Sequence, residues 1–139
     1  MRVPEGAQGA AVLRAGLEAG VTLFDTAASY GPEKQPHHNE RQLAEALGER
    51  SDAATIVTKA GMKRNRGRWA PSGKRKTILA DATASAEALG RPPDVLLLHL
   101  PDPSTPLATS VRALVAAREA GLCRAVGLSH VTLGQLEEA

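Results

Sequence analysis

Four aliphatic runs in this chain each stop at a side chain able to do chemistry: "VTLF" at Asp25, "TIVT" at Lys59, "VLLL" at His99 and "AVGL" at Ser129. The sole tyrosine, Tyr30, follows Asp25 by five positions. Taken singly, an aspartate after a strand is a turn former, a lysine there is a solvated charge and a histidine is a structural residue. Four such endings in one chain call for a common cause. In a parallel sheet the carboxyl ends of all strands lie on one side, and that side carries the site in barrels and open sheets alike.

If the Asp25 and Lys59 strands pair, their spacing of about 4.8 Å brings carboxylate and ammonium within ion-pair reach. Each then explains why the other is tolerated at the mouth of a sheet. Tyr30 can fold back over Lys59, whose charge favours phenolate and draws the phenol down from its usual pKa of about 10. A phenol so placed is a proton donor for a carbonyl oxygen, and His99 can orient that oxygen by hydrogen bonding. The chemistry implied is polarisation and protonation of a C=O group. None of these side chains carries a hydride, so a reduction requires a nicotinamide cofactor.

The elements that must position these residues are marked by their ends. "LEAG", "EALG", "EALG" and "REAG" finish at Gly20, Gly48, Gly90 and Gly121, as helices finish when glycine takes the left-handed position after the last turn. Helix starts are expected at Asn39 with Gln42, at Thr105 before Pro106, and at the capping box of Thr132 and Gln135. The aliphatic runs are near-continuous, which predicts parallel strands buried on both faces. The order reads αβαβαβαβα, an α/β chain with four parallel strands in right-handed crossovers, either an open doubly wound sheet or part of a (β/α) barrel. Gly-x-Gly-x-x-Gly is absent, which weakens the doubly wound dinucleotide fold. The units of roughly 30 to 40 residues match the barrel module, of which a closed barrel needs eight.

With 139 residues, 42% hydrophobic and 23% charged, the chain is expected to form a single domain spanning residues 1–139. One cysteine, Cys123, excludes an internal disulfide and reads as a small buried hydrophobe. Pro4, Glu5, Arg14 and Glu18 interrupt any apolar leader, and no apolar run is long enough to cross a membrane, so a cytoplasmic location is expected. Lys59 to Lys76 holds eight Lys/Arg and no acid; taking these from the net +2 leaves −6 for the remainder. This local basicity reads as a solvated loop before an anion-attracting lip, and Trp69 alone is thin support for nucleic acid. His37 and His38 with nearby Glu40 lack the facial spacing of metal sites, so no metal is expected.

"FDTAASYG", "HNERQLAEAL", "IVTKAG", "DVLLLHLPDP" and "AVGLSH", in this order and spacing, resemble the aldo-keto reductase family over nearly the whole chain from about Ala11. The resemblance implies a (β/α)8 TIM barrel and a catalytic tetrad of Asp25, Tyr30, Lys59 and His99. Tyr30 then donates the proton, Lys59 tunes it, Asp25 holds Lys59, and His99 positions an aldehyde or ketone while NADPH supplies hydride. It also implies that Ser129 touches the cofactor's carboxamide, beside His130 where the family usually has asparagine. An imidazole does not offer an amide's donor and acceptor in one plane.

The resemblance starts at the first barrel helix and stops in the fifth, which implies an incomplete barrel, a fragment or split product carrying the tetrad without most of the cofactor site. Open sheet edges then invite self-association or a complementary chain. Two other readings stay open: a Schiff-base lyase using Lys59, and a non-catalytic half barrel.

Overall fold

The computed structural model describes residues 6–139; Pro4 and Glu5 lie outside the described residues. Helix α1 (Gly6–Glu18) leads to strand β1 (Leu23–Asp25), helix α2 (His38–Leu47), a short 3-10 turn (Gly48–Ala53) and strand β2 (Thr55–Ala60). Strands β3 (Met62–Asn65) and β4 (Arg68–Pro71) follow, then α3 (Arg75–Leu89), β5 (Val95–Leu98), α4 (Leu107–Glu119), β6 (Ala125–Leu128) and α5 (Leu133–Glu138). Strands β1, β2, β5 and β6 form one parallel sheet in that order. The expected α/β architecture of four parallel strands alternating with helices is therefore present, and Gly20, Gly48, Gly90 and Gly121 all have positive φ. Among the described residues no helix is long and apolar enough to cross a membrane.

Within this chain the strands are covered on one face. Side chains alternate across a strand, and the helices cover one face only. Phe24, Ile56, Leu96 and Leu98 are buried on that face: Phe24 and Ile56 with Leu43, Leu47 and Leu89, and the two leucines with Ile78, Ala82, Ala113, Leu114 and Ala117. The second cluster also holds Cys123, whose thiol is pushed up by burial. On the opposite face Leu23 is 59% exposed, and Val95 and Leu97 are half-buried. Both faces of "VLLL" carry apolar side chains, as the near-continuous run predicts.

The basic stretch is a hairpin where a loop was expected. Strands β3 and β4 pair antiparallel, with Arg64 opposite Trp69 and Asn65 opposite Arg68. Arg66 and Gly67 form the connection, both at positive φ (50° and 77°), which suits a two-residue hairpin. The Arg64 guanidinium lies 4.7 Å from the Trp69 ring centroid, so an aromatic face satisfies part of the basic charge.

Two expected helix starts move. Helix α2 is capped by His37 in a left-handed conformation (φ 61°, ψ 16°) with no side-chain cap, and Asn39 falls inside the first turn. Helix α4 begins at Leu107 after Pro106, because the Thr105 hydroxyl donates instead to Asp102 at 2.9 Å. The Thr132 and Gln135 capping box is present in both directions.

Candidate active site

Strand register puts the polar strand ends on one face. Asp25 is level with Val57, Lys59 with Leu97, and Leu97 with Gly127. Each site residue lies at even spacing from these partners: Lys59 two beyond Val57, His99 two beyond Leu97, and Ser129 two beyond Gly127. Period-two alternation therefore turns Asp25, Lys59, His99 and Ser129 to the face opposite the helices. Thr58, one position before Lys59, points the other way and is fully buried.

Lys59 Nζ donates to both Asp25 carboxylate oxygens, at 2.7 and 2.6 Å, and to the Thr26 carbonyl at 2.9 Å. The Tyr30 hydroxyl lies 3.5 Å from the same nitrogen. An ammonium has three N–H donors, and these partners fill its coordination. The lysine side chain is 9% exposed and the aspartate 51%, so the positive charge is sheltered while its counter-charge reaches solvent. Tyr30 arrives from the loop after β1, where its N–H donates to the Ala27 carbonyl at 3.0 Å and the Ala28 N–H donates to the Lys59 carbonyl at 3.1 Å. The loop thus lies along β2, and Lys59 Nζ sits 5.0 Å from the phenol centroid.

His99 meets Tyr30 edge-on, with ring centroids 5.6 Å apart and planes at 82°. Burial lowers its pKa from 6.5 to about 4, helped by the Lys59 and His130 charges and opposed by Asp25. The ring is therefore neutral at neutral pH, with one nitrogen donating and one accepting. The Ser29 hydroxyl is 3.4 Å from Nδ1.

The four candidates Asp25, Tyr30, Lys59 and His99 are thus gathered in one cluster. Ser129 and His130 stand beside it at the end of β6, where the Ser129 N–H donates to the Leu98 carbonyl at 2.9 Å. Neither side chain hydrogen-bonds to the four among the described residues. His130 is exposed, at positive φ (55°).

Several participants had no distinct signal in the sequence. Ser29 and the Thr26 carbonyl belong to a loop whose path depends on β2. Asp102 accepts from the Gly73 N–H, the Ser104 N–H and hydroxyl, and the Thr105 hydroxyl. These bonds, led by the Ser104 hydroxyl, hold its carboxyl well below the usual range and tie the loop after β5 to the segment before α3. His37 and Glu40, visible in sequence as an isolated pair, hold each other at 2.6 Å. The signal for that contact was their i,i+3 spacing.

The model of the Aldo/keto reductase family matches residues 4–139. The chain is 36% identical over 124 residues to an uncharacterized oxidoreductase of Schizosaccharomyces pombe, covering 88% of this chain and 39% of that protein. It is 33% identical to the L-glyceraldehyde 3-phosphate reductase of Escherichia coli, covering 86% of this chain and 35% of that one. The chain thus spans well under half the length of these relatives. Among solved structures, the glycerol dehydrogenase AKR11B4 from Gluconobacter oxydans superposes with a TM-score of 0.84 at 26% identity, over 98% of this chain and 43% of that one. The four-stranded sheet therefore corresponds to about half of a (β/α)8 barrel, and the chain belongs to the aldo/keto reductase family.

Proposed function

We propose that this chain carries the catalytic half of an NADPH-dependent carbonyl reductase, converting an aldehyde or ketone to the alcohol. The observation that carries the reading is the ammonium of Lys59, clamped by Asp25 and set 3.5 Å from the Tyr30 hydroxyl. In this reading the substrate oxygen lies between the Tyr30 hydroxyl and His99. Tyr30 gives its proton to that oxygen as the C=O π bond opens, and the phenolate left behind is stabilised by the adjacent ammonium. Asp25 and the Thr26 carbonyl fix Lys59 so that its charge faces the phenol. Neutral His99 accepts from Ser29 at Nδ1 and offers Nε2–H to the same oxygen, supporting the charge that grows there.

The nicotinamide cofactor supplies the hydride to the carbonyl carbon. At the end of β6, Ser129 would hold its carboxamide, since a hydroxyl both donates and accepts, whereas the exposed His130 imidazole lacks an amide's paired donor and acceptor. Gly127, level with Leu97, gives that side chain room, since a Cβ at 127 would lie 2.8 Å from Leu97 Cδ2.

The engaged ammonium argues against a Schiff-base lyase, because imine formation needs a free amine lone pair. Borohydride with substrate is expected to leave no adduct on Lys59. The direct test follows NADPH consumption with a panel of aldehydes and ketones by the polypeptide carrying this chain. The proposal expects alcohol formation by the native protein and a loss of about 10²-fold or more in Tyr30→Phe; undiminished turnover in that variant would remove the proton donor.

A further inference from the structure

Glu40 is fully buried in the first turn of α2, among neighbours such as Leu43, Ala46 and Leu47 that are apolar. Burying a carboxylate is expensive unless hydrogen bonds compensate, and packing alone would be served by an apolar side chain. Its two oxygens have separate partners. One accepts from His37 Nδ1 at 2.6 Å, and the other accepts from the Thr58 hydroxyl at 2.5 Å.

Those partners belong to different segments. His37 closes the loop that carries Tyr30: its backbone N–H donates to the Ala28 carbonyl at 2.7 Å, pinching the loop over residues 28–37. It does so in a left-handed conformation that costs a non-glycine residue about 1 kcal/mol and needs an external hold. Thr58 is the residue before Lys59 on β2, facing the helices while Lys59 faces the open side. A single carboxylate therefore ties the closing residue of the Tyr30 loop to the strand that carries the lysine.

We propose that Glu40 is a positioning residue that sets the distance between the Tyr30 phenol and the Lys59 ammonium, acting through His37 on one side and Thr58 on the other. This rests on the reading of Tyr30 as proton donor. Ser85, 3.4 Å from His37 Nδ1, supports the same ring from α3. Behind the loop lies a cavity of about 400 Å³ bounded by Ser29, His37, Arg64 and Asp81, so the loop has room to relax once the tie is cut.

The decisive comparison is Thr58→Val against Thr58→Ser. Valine keeps the shape and loses the hydroxyl; serine keeps the hydroxyl and loses a methyl group. The ring contact of Tyr30 with His99 is read as a nuclear Overhauser effect in the polypeptide carrying this chain, with the Tyr30 resonances assigned by their loss in Tyr30→Phe. Thr58→Val and Glu40→Gln are expected to lose at least half of that intensity while remaining folded by circular dichroism, and Thr58→Ser to retain it. In the polypeptide carrying this chain, kcat is expected to fall about tenfold in the first two, with KM little changed. A native Tyr30 to His99 contact in Thr58→Val, whatever Thr58→Ser shows, or an equal loss in Thr58→Ser, would reduce the hydroxyl to packing and overturn the proposal. Should Glu40→Gln unfold, the Thr58 pair decides alone. The ring contact is measured without turnover, so it can fail while the Tyr30→Phe assay succeeds, or the reverse.

Discussion

Lys59 Nζ lies 3.5 Å from the Tyr30 hydroxyl and 5.0 Å from the centre of its ring, although the two are 29 positions apart in sequence. The contact has two causes. Parallel pairing of β1 with β2 places the start of the Tyr30 loop beside Lys59, and the Ala28 N–H then binds the Lys59 carbonyl itself. The lysine is thus held to the tyrosine loop through its backbone as well as through its side chain.

Removing the counter-charge should release the lysine. Asp25→Asn is expected to lower stability by about 1–2 kcal/mol in urea unfolding, less than the loss for a fully buried pair because Asp25 is 51% exposed. Turnover should fall further than stability does, since the ammonium is no longer aimed at the phenol. Native kcat in the Asp25→Asn variant would contradict this role.

The His99 pKa of about 4, against 6.5 in the unfolded chain, links acid to stability with a definite sign. Between those values the unfolded state binds a proton that the folded state refuses. Stability is therefore fully present above about pH 6.5 and declines as pH falls toward 4. His99→Gln should show a shallower loss of urea midpoint across that window. Parallel slopes in the two proteins would mean that His99 is not the group responsible.

Asp102 acts in the opposite chemical direction. Its hydrogen bonds to Ser104, Gly73 and Thr105 favour the charged form and depress its pKa, so its contribution is present above the unfolded value of 3.8 and is lost as pH falls below it. Asp102→Ala is expected to cost about 2–3 kcal/mol at neutral pH, because the buried Gly73 N–H loses its acceptor. Equilibrium unfolding checks this directly.

Gly31 follows Tyr30 at φ 114°, and a Cβ there would lie 2.7 Å from His38 Cβ. Gly31→Ala should displace the tyrosine loop while leaving the sheet intact. The expected result is a native-like far-ultraviolet spectrum with turnover reduced by about tenfold or more. Unchanged kinetics would show that the loop tolerates the shift.

The polar strand ends were legible because aliphatic runs that stop at Asp25, Lys59, His99 and Ser129 advertise both the strand and its exit. Parallel topology followed from the alternation of those runs with helices ending in glycine. The hairpin was not legible: Lys63, Arg64, Arg66 and Arg68 give no apolar alternation, and the pairing depends on Arg64 stacking over Trp69 across the strands. The start of α2 was misplaced because His37 adopts a backbone conformation that its residue type does not announce. In the sequence Glu40 stood out only as a neighbour of His37 and His38. Only the packing of α2 against β2 turns it inward, toward Thr58. Long-range partners of this kind are decided by tertiary contacts, which local sequence patterns do not encode.

Tyr30 and Lys59 act as one unit in this reading, and a double-mutant cycle probes that unit without intermediaries. Turnover would be measured for Tyr30→Phe, Lys59→Met and the combination in the polypeptide carrying this chain. Groups that act together lose little more when both are removed than when one is. A double variant about as slow as the slower single variant is expected. Fully additive losses would show that the ammonium and the phenol work independently, and would contradict the proposed pairing.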